Sequence, residues 1–297
     1  MLKFQNMIES DIDWTIKIIR GDDIPKRLQE IPHVPKALSY LGELPDENFT
    51  YLTIIGSRRH TTYGREVTKK LIEGLKGLPV VIVSGLALGI DGIAHETAIS
   101  CGMKTIALPG SGLDPKVLYP RTHFNLAKRI LESGGALISE FKQDQSASIW
   151  TFPQRNRLMA GISDAVLVIE AEQKSGSLIT TKLATDYNRE VLSVPGSIFS
   201  ECSYGTNMLL RLGATPITCV EDLKEALGFA GKDESNVVKI EELGEEERKI
   251  FEILREPMSR DDLIRELGLP ITKANTLISM MEIQGVIKEE LGEMRRN

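Results

Sequence analysis

The feature that most limits what this chain can become is a series of short, predominantly apolar runs at 52–55, 80–83, 105–108, 136–139, 165–169, 191–194 and 217–220. Between them lie longer stretches with apolar residues at helical spacing, such as "GREVTKKLIEGLKG", "GIAHETAISCG", "FNLAKRILESGG" and "SLITTKLATDYNRE". Strands that are apolar throughout, rather than alternating with polar residues, belong to a parallel sheet covered on both faces. The pattern predicts an α/β fold with a doubly wound, mostly parallel sheet. In such sheets ligands sit at the carboxyl ends of the strands.

Those ends share a chemistry. "GSRR" at 56–59, "SGLALGIDG" at 84–92, "PGSGLD" at 109–114, "QKSGSL" at 173–178 and "PGS" at 195–197 put glycine and serine wherever a strand hands over to a loop. Glycine permits close backbone approach, serine adds a hydroxyl donor, and a following helix aims unpaired N–H groups at the loop. Any one βα turn has its own need of glycine, but five such ends in one sheet predict an anion-binding rim. Gly56, Ser57, Ser84, Gly85, Gly110 and Ser177 are candidates on it, with Lys174 before "SGSL" and Arg121 in "LYPRTHF" as nearby cations. The first turn departs from the dinucleotide fingerprint G-x-G-x-x-G, since its second glycine is Arg58, with Arg59 beside it. A long cationic side chain there fills the space a cofactor pyrophosphate needs, so no cofactor is expected.

The densest cationic motif is "WTFPQRNRLMAG", 150–161. If the stretch 150–152 is extended, Trp150 and Phe152 share a face, with Arg155 and Arg157 close behind. Aromatic faces beside arginines are how proteins hold single-stranded nucleic acid, bases stacking and guanidinium groups gripping phosphates. The competing reading buries both aromatics and leaves the arginines on a solvated turn. Catalytic signatures are weaker. Asp91 and His95 stand one helical turn apart, but Asp91 is well placed as an N-cap and His95 as an interior histidine. "SEFK" at 139–142 matches S-x-x-K without its partner motifs. There is no Walker A sequence, and His33, His60 and His123 lack metal-site spacing, so neither a catalytic set nor a metal is expected.

Four segments are expected: an N-terminal arm at 1–50, the sheet domain at 51–230, a charged linker at 231–244, and a winged helix at 245–297 made of three short helices and a ribbon turning at Gly292. The winged helix is a poor candidate for reading duplex DNA. Residues 240–297 hold 9 Lys or Arg against 14 Asp or Glu, which accounts for most of the chain's net charge of -6. Its expected recognition helix, "TKANTLISMMEIQG", offers Lys273 as its cation and carries more apolar residues than one buried stripe requires. Three unevenly spaced cysteines fit neither a disulfide framework nor a zinc site, and no run approaches the roughly 20 apolar residues of a membrane span. A soluble, cytoplasmic protein is expected.

In order and spacing, "IIGSRRHTTYG", "VIVSGLALGIDGIAH", "TIALPGSGLDPKVLYPR", "FPQRNRLMAGISDAVLVIEAEQKSGSLIT" and "VLSVPGSIF" resemble the bacterial DNA-processing protein A family, over roughly 24–228. The resemblance implies an extended Rossmann-like domain that acts as a non-enzymatic recombination mediator. Such a protein binds single-stranded DNA during natural transformation or general recombination, protects it, and helps load a RecA-type recombinase onto strands covered by single-strand-binding protein. By the same resemblance, Gly56, Ser57 and Arg58 match the family's G-S-R phosphate loop. Arg121 falls at the basic position after Tyr-Pro, and Phe152, Arg155, Asn156 and Arg157 match F-P-x-R-N-R. It also implies a homodimer formed through the sheet domain. Many members begin with a longer helical domain, where this chain has a short arm. The alternative is a nucleotide-binding enzyme or sensor of the lysine-decarboxylase-like family. That family's P-G-G-x-G-T hallmark is absent, "PGSGLD" being the nearest stretch.

Overall fold

Six of the seven apolar runs become strands because both faces of each are covered. The computed structural model describes residues 14–229 and 244–296, apart from 284 and 291, and the chain divides into two compact units at 230/231. In chain order the first unit contains β1 (Lys17–Arg20), α1 (Lys26–Gln29), β2 (Ala37–Gly42), β3 (Thr50–Ile55), α2 (Thr62–Glu73), β4 (Val80–Ser84), α3 (Ile90–Ser100), β5 (Thr105–Ala107) and α4 (Phe124–Glu132). It continues with β6 (Ala136–Ser139), α5 (Thr151–Ile162), β7 (Ala165–Val168), α6 (Ser177–Asp186), β8 (Glu190–Ser193), α7 (Tyr204–Arg211), β9 (Thr215–Pro216) and α8 (Val220–Ala226).

The described strands of this unit form one sheet in the order β1-β2-β6-β5-β4-β3-β7-β8-β9. From β6 to β9 every pairing is parallel, and β1 and β2 close the near edge antiparallel. Successive side chains of one strand feed opposite cores. Tyr51, Ile55, Val81 and Val83 pack with Leu158, Met159 and Ala184 on one face, whereas Leu52, Ile54, Val80 and Ile82 pack with Leu71, Ile72, Ala94 and Ala98 on the other. The architecture is the doubly wound, mostly parallel sheet that the pattern predicts.

Three local expectations differ from what is observed. The segment before residue 51 supplies two strands of the sheet, because Leu38 and Leu41 of β2 are fully buried against it. The run 217–220 is not a strand: the edge strand is Thr215–Pro216, and Asp222 accepts the Thr218 and Cys219 N–H groups at 2.7 and 3.2 Å, so that α8 starts at Val220. Finally, 150–152 is not extended, since α5 begins at Thr151. Pro153 lies in its first turn, where a missing N–H costs no hydrogen bond.

The second unit holds α9 (Glu245–Ile253), α10 (Arg260–Leu267), α11 (Ile271–Ile283), β10 (Ile287–Glu290) and β11 (Glu293–Arg296). The two strands pair antiparallel around Gly292, whose φ of 80° suits glycine. Ile250, Leu254, Leu263, Leu267, Ile278, Met281 and Met294 form its core. This is a winged helix. Of the apolar surplus on α11, Met280 and Ile271 remain exposed while Ile278 and Met281 are buried. Apart from Gly244, the expected linker lies outside the described residues.

Candidate nucleic-acid interface

The sheet reverses its winding between β3 and β7, the place where doubly wound sheets open a crevice. A cleft of about 410 Å³ lies there, lined by the turn after β3 (Gly56, Ser57, Arg58, Arg59), by Ala87 and Asp91, by Ile149 and the start of α5 (Phe152, Arg155, Asn156), and by Ser175, Ser177, Ile179 and Thr180. Since Asp91, Phe152 and Ser177 stand in the first turns of α3, α5 and α6, three helix N-termini face the cleft and bring positive potential to it.

Arg58 and Arg59 are exposed at the cleft. The Arg58 guanidinium stands 5.1 Å from the centre of the Phe152 ring, and Tyr119 stacks obliquely on that ring at 5.8 Å. The stack exists because Gly110 has no side chain, as a Cβ there would lie 2.5 Å from Phe152 Cδ1. Ser57 holds the turn, its Oγ accepting the Arg59 N–H at 3.0 Å. Ser177 closes the opposite wall by donating to the Gly56 carbonyl at 3.3 Å. Ile149, Ile179 and Tyr119 leave apolar surface exposed around the cations. The chemistry is that of guanidinium groups for phosphate beside flat and apolar faces for bases.

Arg155 belongs to the floor of the cleft and is structural. It is 5 % exposed, and its Nη1 donates to the Gly85 carbonyl at 2.6 Å and to the Leu108 carbonyl. Its Nε donates to Asn156 Oδ1 at 3.2 Å. Burial brings its pKa down to about 10 against the opposing pull of Asp91. Asp91 is likewise buried, and burial raises its pKa while Arg155 and two backbone N–H groups oppose the rise. It is not an N-cap, a position taken by Gly89; its carboxylate accepts the Gly85 and Ala87 N–H groups at 3.0 and 3.4 Å. Arg155, Asp91 and His123, whose Nδ1 donates to the Leu86 carbonyl at 2.9 Å, together pin a loop in which buried Leu86 has a φ of 57°. Gly85 has no room for a side chain between Arg155 and Asp91.

His95 is an interior histidine. Thr105 Oγ1 donates to Ile82, so the 2.7 Å contact makes His95 Nδ1 the donor to Thr105 and leaves Nε2 buried without a partner among the described residues. Burial first, then His123 and Arg155, hold its pKa down to about 3.

The remaining sequence candidates fall elsewhere. Ser84 is fully buried and donates to the Ile54 carbonyl at 2.6 Å, so its hydroxyl faces no ligand. Arg157 is ion-paired with Glu140 and donates to the His33 carbonyl, away from the cleft lining. Arg121 bonds the Pro115 carbonyl and lies 5.2 Å from the Phe124 ring. Lys174 is exposed between the lining residues Glu172 and Ser175. Gly85 lines a small hollow of about 30 Å³ with Arg58, Tyr119 and Phe152. Reading from sequence passed over Arg59 and Ser175 as site residues, although both neighbour chosen ones; Ile149 and Ile179 gave no signal beyond being apolar.

Residues 15–228 match the model of the family described as DNA recombination-mediator protein A. The chain belongs to that family. Residues 238–293 match the DprA winged helix domain. Among its relatives, Protein Smf of Escherichia coli is 40 % identical over 228 residues, 75 % of this chain and 60 % of that protein. DNA processing protein DprA of Streptococcus pneumoniae is 39 % identical over 211 residues, 71 % of this chain and 73 % of that one. The chain thus spans 60 % of the length of the Escherichia coli relative. The crystal structure of the Streptococcus pneumoniae protein superposes with a TM-score of 0.64 at 33 % identity, covering 76 % of this chain and 77 % of that one. A Helicobacter pylori DNA processing protein A, whose structure is described as showing its single-stranded DNA binding mode, superposes with a TM-score of 0.64 at 32 % identity, covering 73 % of this chain and 98 % of that one.

Proposed function

We propose that this protein is a recombination mediator that binds single-stranded DNA in the cleft at the β3–β7 switch point. The observation that carries the proposal is the pair of exposed arginines, Arg58 and Arg59, in a cleft whose walls also expose apolar and aromatic faces. Phosphates meet the guanidinium groups, and bases lie against Phe152, Tyr119, Ile149 and Ile179. Because neither contact distinguishes one base from another, binding is sequence-tolerant. Duplex DNA, with its bases stacked inward, offers the cleft only its backbone.

Gly56, Ser57, Asn156 and Ser177 shape the cleft, Arg155 fixes its floor, and Lys174 supplies charge at its mouth. The family relationship supports the wider role of covering and protecting single strands in transformation or general recombination. In that role the protein helps a RecA-type recombinase displace single-strand-binding protein, as a homodimer, in the cytoplasm and without chemistry of its own. No described helix is long and apolar enough to cross a membrane.

Anisotropy titrations of the full chain with a labelled single strand, the same sequence as duplex, and a mononucleotide test the proposal. Single strands should bind well above duplex with little base preference, and incubation with nucleotides should release neither base nor phosphate. Equal affinity for single strand and duplex at moderate salt would contradict the proposal, and nucleotide turnover would favour the enzyme alternative.

A further inference from the structure

One buried carboxylate takes no part in the single-strand reading, yet it holds the position where sheets of this class receive a nucleotide. Glu170 lies two residues beyond β7 and is 2 % exposed. Across the switch point from it stands the start of α2. Glu170 Oε2 accepts the Thr61 backbone N–H at 3.0 Å, and Oε1 accepts the Thr61 hydroxyl. Thr61 is the N-cap of α2, its own Oγ1 accepting the Gly64 N–H at 3.1 Å. Gly64 has no room for a side chain, since a Cβ there would stand inside the Glu170 carboxylate. The charge is felt nearby: the Tyr63 phenol is pushed up by burial first and by Glu170 second.

Counted from Gly56, the second and third glycines of G-x-G-x-x-G fall on Arg58 and Thr61. In a dinucleotide site the second glycine lets a pyrophosphate come close to the backbone, the third lets the next helix pack closely on the strand, and the pyrophosphate sits at the N-terminus of that helix. Here the amide and hydroxyl of Thr61 are committed to Glu170, and the positive end of α2 already faces an anion. We infer that Glu170 is a specificity-determining residue, an internal carboxylate that fills the phosphate position at the switch point so that the protein rejects free nucleoside diphosphates. Phosphate binding passes outward to Arg58 and Arg59. A phosphodiester strand runs along those arginines without entering, whereas a diphosphate seeking the α2 amides meets a carboxylate that already occupies them. What the rim accepts rests on the single-strand reading; what the interior rejects rests on the geometry of Glu170.

The test compares full-length wild type, Glu170→Ala and Glu170→Ser, with ADP as probe in equilibrium dialysis. A labelled single-stranded oligonucleotide is titrated into the same preparations, and circular dichroism with thermal melting identifies the folded variants. Wild type should show no saturable ADP binding up to roughly 5 mM, and a folded variant should bind ADP at least about tenfold more tightly. Oligonucleotide affinity should stay within about threefold. A folded variant that binds ADP no better than wild type overturns the inference, as does wild type that binds ADP saturably in competition with the oligonucleotide. If neither variant folds, the isosteric Glu170→Gln, which keeps both partners on Thr61 without the charge, is measured instead: tighter ADP binding than wild type upholds the inference, and unchanged binding overturns it. Failure of wild type to bind the oligonucleotide would strike the single-strand reading instead.

Discussion

The two units of the chain use cationic residues in opposite ways. At the cleft of the sheet unit, Arg58 and Arg59 are exposed, and among the described residues neither forms an ion pair. In the winged helix, Arg260 is bonded to Glu282 and Glu289, Arg265 to Asp262, Lys273 to Glu246, Lys288 to Glu290, and Arg295 to Glu290 and Glu293. Arg296 donates to the Phe251 carbonyl at 2.7 Å and covers its ring. Exposed pairs of this kind contribute only about 0–1 kcal/mol each to stability, but each cancels the field that would draw a phosphate. A phosphate approaching Arg58 meets no carboxylate paired with it among the described residues, whereas one approaching Lys288 or Arg295 of the wing must displace a carboxylate. The number of cations matters less than what already faces them, and on that ground the sheet unit is the proposed seat of the polyanion.

The largest expected effect separates two arginines within the cleft. Arg155→Ala removes a buried charge from two carbonyl acceptors and takes the principal cation from buried Asp91, a loss of about 3–5 kcal/mol. Thermal melting should show the sheet unit's transition falling by roughly 10 °C or more. A melt indistinguishable from wild type would mean that the floor is not held this way. Arg58→Ala should do the reverse, leaving the melt unchanged and weakening single-strand binding by roughly ten- to a hundredfold, the worth of one charge-assisted hydrogen bond.

Acid should also tell the units apart. Buried His95 keeps its pKa near 3, below its ordinary value of 6.5. As pH falls below 6.5 the unfolded chain takes up a proton that the folded one refuses, so stability present above 6.5 is lost progressively toward pH 3. At pH 5.5 the loss is about 1.4 kcal/mol, readable as a lower melting temperature. Residues 231–297 contain no histidine, so the winged helix should hold its transition between pH 7 and 5.5. An equal shift in both units would remove His95 as the cause. The smallest effect is expected from deleting 235–297, which should change single-strand affinity by less than about threefold, under ~1 kcal/mol. A larger loss would give the wing a share in binding.

Much of this was legible in the sequence, and the exceptions have physical causes. The strands β3 to β8 declare themselves because a fully covered strand must be apolar on both sides, and Gly56, Ser57 and Arg58 stand where the fingerprint places a phosphate turn. The strands β1 and β2 hide within the expected arm because β1 is an edge strand exposed at most of its positions, and β2, although it lies between β1 and β6, interrupts its apolar residues with Ser39, Tyr40 and Gly42. The start of α5 is hard to see in the sequence because Pro153 looks like a helix breaker, although the first turn of a helix tolerates it. Side-chain fate was the least legible level. Arg155 and Arg157 are two residues apart in one motif, yet one is sealed against Gly85 and Leu108 and the other paired with Glu140. Those partners lie tens of residues away, on strand ends that only the sheet brings together.

The claim that Arg58 and Arg59 carry the phosphate contacts is tested most directly by the salt dependence of single-strand binding, measured on wild type and on the Arg58→Ala, Arg59→Ala double variant. Each phosphate neutralised on a single strand contributes about 0.7 to the slope of log affinity against log salt concentration. If both arginines neutralise a phosphate, the double variant should lose about 1.4 from that slope while its melting temperature stays at the wild-type value. A slope unchanged from wild type would contradict the account and place the single strand elsewhere on the molecule.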